Sequence, residues 1–127
     1  AKALAQGLGS KVKDALERTI ALAPAHADAH IALGAFHAEV IDKVGALIGG
    51  MTYGARKDTG LKLFQTALVL NPDSAIARIE YANAMVMLEG DARMQEATAL
   101  YEQAAASEPQ DAMEHLDVDL ARTELED

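Results

Sequence analysis

Four histidines and a scatter of acids are the residues whose types and spacing could do chemistry. His26 and His30 stand four apart, which puts both on one face of a helix, with Asp28 between them and His37 two turns further on. Two imidazoles at that spacing can share a zinc ion. The zinc-protease pattern, however, has a glutamate directly after its first histidine, where this chain has Ala27, and His26 falls where a helix should begin and water competes for the ring. No metal is therefore assigned, and His26 and His30 are kept as the candidate ligands of an alternative reading. Gly49-Gly-Met-Thr-Tyr-Gly54 invites comparison with a phosphate loop, but that loop needs Lys and Ser or Thr after its last glycine and a strand before it. Here Ala55 and Arg56 follow and a helical pattern precedes, so only Arg56 and Lys57 at a helix start could meet an anion. Ser10, Ser74 and Ser107 lie at caps or helix ends, cysteine is absent, and the carboxylates sit on surface faces. These residues predict neither an enzyme nor a cofactor.

Composition narrows the partner. The 127 residues suit one domain, and half of them are hydrophobic, yet only two Phe and three Tyr are aromatic. Alanine supplies much of the apolar content, which suits close helix-helix packing. The formal net charge is −9, and Glu108 to Asp127 contributes eight acids against Arg122 alone, a local −7 that leaves −2 for residues 1–107. Phosphate contacts need clustered Lys and Arg, so nucleic acid is not the expected partner. No run of about 18 apolar residues exists to span a membrane. Beginning at Ala1 and lacking a leader pattern, the chain reads as trimmed or processed. A cytoplasmic setting is the expectation, with the periplasm left open.

Along the chain, helical periodicity dominates and no strand is predicted. Residues 11–22 form a helix with Val12, Ala15, Leu16, Thr19 and Ile20 on one stripe, stopped by Ala23-Pro24. Its continuation backwards through residues 1–10 is left open, with Gly7, Gly9 and Ser10 counting against it. A second helix runs from His26 or Ala27 to about Val44, burying Ala29, Leu33, Phe36, Val40 and Val44 with Ile31 and Ile41 at the edges. The next ten residues, Gly45 to Gly54, contain four glycines and predict an extended connection rather than a helix. Further helices are expected over about 56–70, from Asp73 or Ser74 to Leu88, over 92–107 and over 111–124, with Gly90 as a left-handed cap. The fold class is all-α, an antiparallel helix-turn-helix array of about six helices.

Within this array one phrase recurs. Gly60, Phe64 and Ala67 precede Pro72 by twelve, eight and five residues, and Ala97, Tyr101 and Ala104 precede Pro109 at the same intervals. A weaker copy ends at Pro24, with Leu16 and Thr19 in the last two places. Leu33-Gly34 and Tyr81-Ala82 form a matching pair in the preceding helices. Over roughly residues 11–124 the chain resembles the tetratricopeptide repeat family, whose unit is a pair of helices in about 34 residues. The resemblance implies the second helix of a partial repeat at 11–24, repeats at 25–72 and 73–109, and an acidic capping helix at 110–127. Pro24 to Pro72 is 48 residues and Pro72 to Pro109 is 37, so the first repeat carries an insertion near 46–58. His30 and Arg78 occupy the first-helix position that usually holds tryptophan.

The same resemblance implies a concave groove, lined by first helices, that holds a protein or peptide. Asn83 matches the asparagine of the family's carboxylate clamp, but Ile79 stands where its lysine belongs, and the earlier repeat has Ile31 and Ala35 there. Asp28, Glu80, Met113 and Asp117 occupy further positions that a carboxylate clamp would make basic. The expected groove is Asp28, Ile31, Glu39, Ile76, Ile79, Glu80, Asn83 and Met87, suited to a partner with apolar and basic groups. Leu47, Ile48, Met51 and Tyr53 of the insertion are expected either to pack down on neighbours or to form a partner-contacting lip. The leading reading is a protein-binding scaffold without cofactor. The alternative is a small-ligand or metal-binding protein whose pocket joins His26 and His30 to the insertion, and self-association through the apolar insertion is a third.

Overall fold

The computed structural model describes residues 2–106 and 121–125. Six α-helices appear: α1 (Lys2–Leu22), α2 (Ala27–Val44), α3 (Ala46–Tyr53), α4 (Lys57–Leu70), α5 (Ala75–Glu89) and α6 (Met94–Ala105). A 3-10 turn, Gly90–Arg93, joins the last two, residues 121–125 are helical, and no strand occurs among the described residues. The expected all-α class is thus found. Residues 111–120 of the expected last helix lie outside the described residues, as do Met113, Asp117 and Ser107.

Local chemistry accounts for most of the boundaries. Ser74 caps α5, its hydroxyl accepting the Ala77 N–H at 3.1 Å. Asn71, held extended by the following proline, ends α4. His26 caps α2 by accepting the Ala29 N–H on Nδ1 at 3.1 Å. Gly90 ends α5 with φ 63 and ψ −146, a positive-φ conformation open to glycine but not the left-handed helical one expected. At this corner Glu89 receives Lys57 of α4 at 2.9 Å and Arg93 at 3.9 Å, tying two helices to the turn.

One boundary left open is settled and one expectation is corrected. The helix before Pro24 extends back beyond Lys11 to Lys2, through Gly9. Gly9 is a contact site rather than a helix stop, because a Cβ there would lie 3.3 Å from the ring of Tyr53. The glycine-rich insertion is a helix of eight residues, α3, not an extended connection. Its outer glycines, Gly45 (φ 86) and Gly54 (φ 67), lie outside the helix and turn the chain at each end. Only Gly49 and Gly50 are within it, and Gly49 is buried against Val40 and Ile41 of α2.

Helix α2 packs against α1, α3, α4 and α5, while α5 packs also against α4 and α6, and α3 touches α1. The centre is the crossing of α2 and α4. A Cβ on Gly34 would come within 2.9 Å of the Phe64 ring and 3.1 Å of the Gly60 carbonyl; one on Gly60 would come within 2.9 Å of His37 Cβ. Phe64 is wholly buried (0% exposed) and stacks on Tyr81 of α5 with centroids 5.6 Å apart and planes 10° from parallel. Ala67, Ala77, Ala82, Ala84 and Ala97 surround this pair, and a smaller core joins Ala75, Ile79, Ala104 and Ala121. The α1 stripe is less covered than its periodicity predicts, since Val12 and Ala15 are exposed while Leu16, Thr19 and Ile20 are half-buried. On α2, likewise, Phe36 and Val40 are half-buried and Val44 is exposed, whereas Ile31 is buried.

An added methyl therefore has opposite effects at different glycines. Gly→Ala inside a helix gains up to about 1 kcal/mol. At Gly34 or Gly60 the new Cβ meets atoms that cannot move, and overpacking costs about 1–3 kcal/mol. Urea unfolding should show Gly34→Ala and Gly60→Ala to be destabilised by about 1–2 kcal/mol net of these two effects. Gly50→Ala, whose Cβ would meet the Ala55 carbonyl at an ordinary 3.5 Å, should be neutral or stabilised.

Candidate functional site

On α5, residues 76, 80, 83 and 87 fall on one face because each advances by three or four positions. Ile76, Glu80, Asn83 and Met87 thereby face α2, which presents Asp28, Ile31, Ala32, Ala35 and Glu39. An open depression of about 370 Å³ is lined by Asp28, Ile31, Ala32, Ala35, Ile76 and Glu80. A narrow notch of about 10 Å³ adjoins it, lined by Ala35, Ala38, Glu39, Glu80, Asn83, Ala84 and Met87. Ala35 and Glu80 belong to both, so the two form one continuous groove. Its floor is made by alanines whose small side chains leave the space, together with Ile31 and Ile76. Among the described residues, three carboxylates and no cation line it.

Of the residues expected in the groove, seven line it and Ile79 does not. Ile79 lies about 60° around the helix from Ile76, is 4% exposed and packs with Ala75, Ala104 and Ala121 on the α6 side. The Asn83 amide is engaged as well, its oxygen accepting the Tyr101 hydroxyl of α6. Burial pushes that hydroxyl up to about 12, and the adjacent Glu124 carboxylate adds to the shift while the Asn83 bond opposes it. Arg78, in the position where tryptophan is usual, spans to α6 through Gln103 at 3.3 Å and to the Ser74 carbonyl at 3.2 Å.

The histidines of the alternative reading serve the backbone. His26 Nδ1 is used in the cap, and His30 Nε2 donates to the Pro24 carbonyl at 2.9 Å, fastening the α1–α2 turn. With its proton on Nε2, the buried His30 has an unprotonated Nδ1 that meets no partner among the described residues. No group of three or more His, Cys, Asp or Glu able to hold a metal occurs among the described residues. The hollow beside the insertion is lined by Ile41, Ala46, Leu47, Gly50, Met51, Ala55, Arg56 and Lys57, and neither His26 nor His30 is among them.

The insertion divides in two. Leu47 (74% exposed), Ile48 and Met51 (81% exposed) project from α3, beside a shallow hollow of about 370 Å³ that also takes in Ile41, Ala55, Arg56 and Lys57. Tyr53 turns the other way and packs on Gly9 of α1, so it anchors the segment rather than joining the exposed lip.

Sequence reasoning named His37 but gave it no role of its own. Its side chain is 3% exposed, sits edge-on to Phe36 with centroids 6.0 Å apart, and accepts the Arg56 N–H on Nδ1 at 2.9 Å. Burial lowers its pKa below the usual 6.5, Lys13 of α1 lowers it further, and Glu17 partly offsets both. The one signal in the sequence was its place three residues after Gly34, on the face that α4 approaches.

No helix among the described residues is long and apolar enough to cross a membrane. Comparison of the chain with protein-family models, with curated proteins and with solved structures gave no match. The histidine geometry carries its own test. His26→Ala should lose about 1 kcal/mol with the cap, and His30→Ala about 1–3 kcal/mol with the Pro24 bond, both by urea unfolding. Zinc should leave the wild-type melting temperature unchanged; a zinc-dependent rise that both variants abolish would restore the metal reading.

Proposed function

We propose that this chain is a protein-binding scaffold of the tetratricopeptide kind rather than an enzyme, and that the α2–α5 groove takes a segment carrying apolar and basic side chains. The observation that carries the reading is the groove itself: an apolar floor of Ile31, Ala32, Ala35 and Ile76, edged by Asp28, Glu39 and Glu80, with no cation among the described lining residues. A carboxylate would be repelled there, whereas a Lys or Arg can lay its aliphatic stem on the floor and its charge beside an acid. Support for the family comes from the packing. First helices α2 and α5 lie side by side, and the small–aromatic–alanine residues of α4 and α6 fall where helices meet. The exposed Leu47, Ile48 and Met51 offer a second, apolar contact on the same partner.

Fluorescence anisotropy with a labelled amphipathic peptide tests the groove. A Leu/Lys peptide should bind, a Leu/Glu peptide of equal length should not, and Asp28→Lys/Glu80→Lys should weaken the first by about tenfold, or about 1.4 kcal/mol. Asp91→Lys/Glu102→Lys makes the same charge change outside the groove and should have little effect. Equal weakening by both pairs would reduce the interaction to net charge and defeat the proposal. Light scattering decides the role of the lip: the wild type should run at 13.4 kDa. A larger mass, restored to that value by Leu47→Asp/Met51→Asp, would assign the lip to self-association instead.

A further inference from the structure

The α3 segment is attached in an unusual way. It enters through Gly45 at φ 86, where a side chain would meet nothing within 4 Å, and leaves through Gly54 at φ 67. Both are positive-φ glycines, able to absorb backbone rotation that other residues resist. Between them the segment is held by few contacts. Gly49 rests on Val40 and Ile41, Tyr53 rests on Gly9, and the following Ala55 is buried, while Leu47, Ile48 and Met51 face solvent. Such a unit belongs to the low end of local stability.

One hydrogen bond closes it onto the core. Arg56 is the N-cap of α4 and has no side-chain cap of its own; its N–H is instead taken by His37, 19 residues earlier on α2. Nδ1 can accept that bond only while it carries no proton, with the ring hydrogen on Nε2. A proton added to Nδ1 sets one N–H against another in a buried site, and the bond must open. The groups around the ring do little to offset this. From α1 come Lys13, which opposes a second positive charge, and Glu17, which is already paired to Lys13 at 2.7 Å. From α3 comes no charged side chain, and α4 meets the ring through the Arg56 amide and Gly60.

We propose that His37 is a pH-operated latch on the α3 segment: neutral, it fastens the α3–α4 junction to α2, and protonated, it frees the segment while α5 and α6 stay folded. The latch is a property of the free chain and stands whether or not the groove holds a partner. The sign follows from linkage. Because the folded-state pKa lies below the unfolded value of 6.5, the contribution is complete above that pH and is lost as pH falls through the folded pKa. Opening therefore belongs to pH below the ordinary histidine range.

Amide hydrogen exchange on the whole chain, read by NMR at about pH 7.5 and about pH 5 and corrected for intrinsic rates, measures the latch. The Arg56 amide, with Gly54 and Ala55, should lose protection by about tenfold or more in step with titration of the His37 ring, while amides of α5 and α6 keep theirs. His37→Asn places an amide oxygen where Nδ1 stands and cannot titrate, so its Arg56 protection should be flat with pH. Should that variant fail to fold, Lys13→Gln serves: removing the nearby cation should move the midpoint to higher pH. Three results would each overturn the proposal: protection at Arg56 indifferent to His37 titration, protection lost in all helices together, or a midpoint unmoved by Lys13→Gln.

Discussion

Everything else in this chain depends on how closely α2 approaches α4. Gly34 and Gly60 face each other across the crossing, and neither has room for a methyl group. The intimacy is what buries Phe64 completely and aims its face at Tyr81. That stack sets where α5 lies, and a hydrogen bond at 2.9 Å from Gln65, the neighbour of Phe64 on α4, to the Tyr81 hydroxyl ties the ring to the same helix. With so few aromatic residues in the chain, one well-placed phenyl ring among alanines does the space-filling that several larger side chains would do elsewhere. Interiors of this kind tolerate volume changes poorly, because no flexible side chain stands ready to yield.

The groove is a consequence of the same arrangement. Once α2 and α5 lie side by side behind the Phe64–Tyr81 pair, their outward faces make a shallow trough whose depth comes from Ala32, Ala35, Ala38 and Ala84. Alanine thus acts twice, permitting close contact on the inner face and leaving space on the outer. The acids at the rim then give the trough its sign. Coulomb interactions across such an open site are weak singly and screened by salt, so they select a partner by its charge pattern more than they hold it. The crossing also explains His37. The ring sits where Gly60 admits it, and from there it reaches the amide that begins α4.

Much of this architecture was legible in the residues. Pro24, Pro72 and Ser74 mark helix ends by mechanisms that operate within a turn of the chain, and those ends are where the structure has them. Ile76, Glu80, Asn83 and Met87, expected in the groove through the family resemblance, do share one face of α5, three and four residues apart. Glycine was the less readable residue. At Gly34 and Gly60 it permits a helix crossing, at Gly9 it receives a tyrosine, and at Gly45 and Gly54 it turns the chain, yet composition alone treats all five as helix breakers. Reading the insertion as irregular was an error of this kind, since the two glycines that would disfavour a helix most lie just outside it.

By itself, then, the sequence determined that the chain is helical, roughly where each helix stops, and which side chains share a face. These follow from proline geometry, side-chain caps and a 3.6-residue period, all of which act over a few residues. The tertiary structure alone decided that Ile79 belongs to the α6 contact, that Tyr53 folds inward, and that His37 takes the N–H of Arg56, 19 residues later, where α4 begins. Each of those depends on which distant element lies opposite a given face. That choice is settled by packing around one crossing, and no local rule contains it.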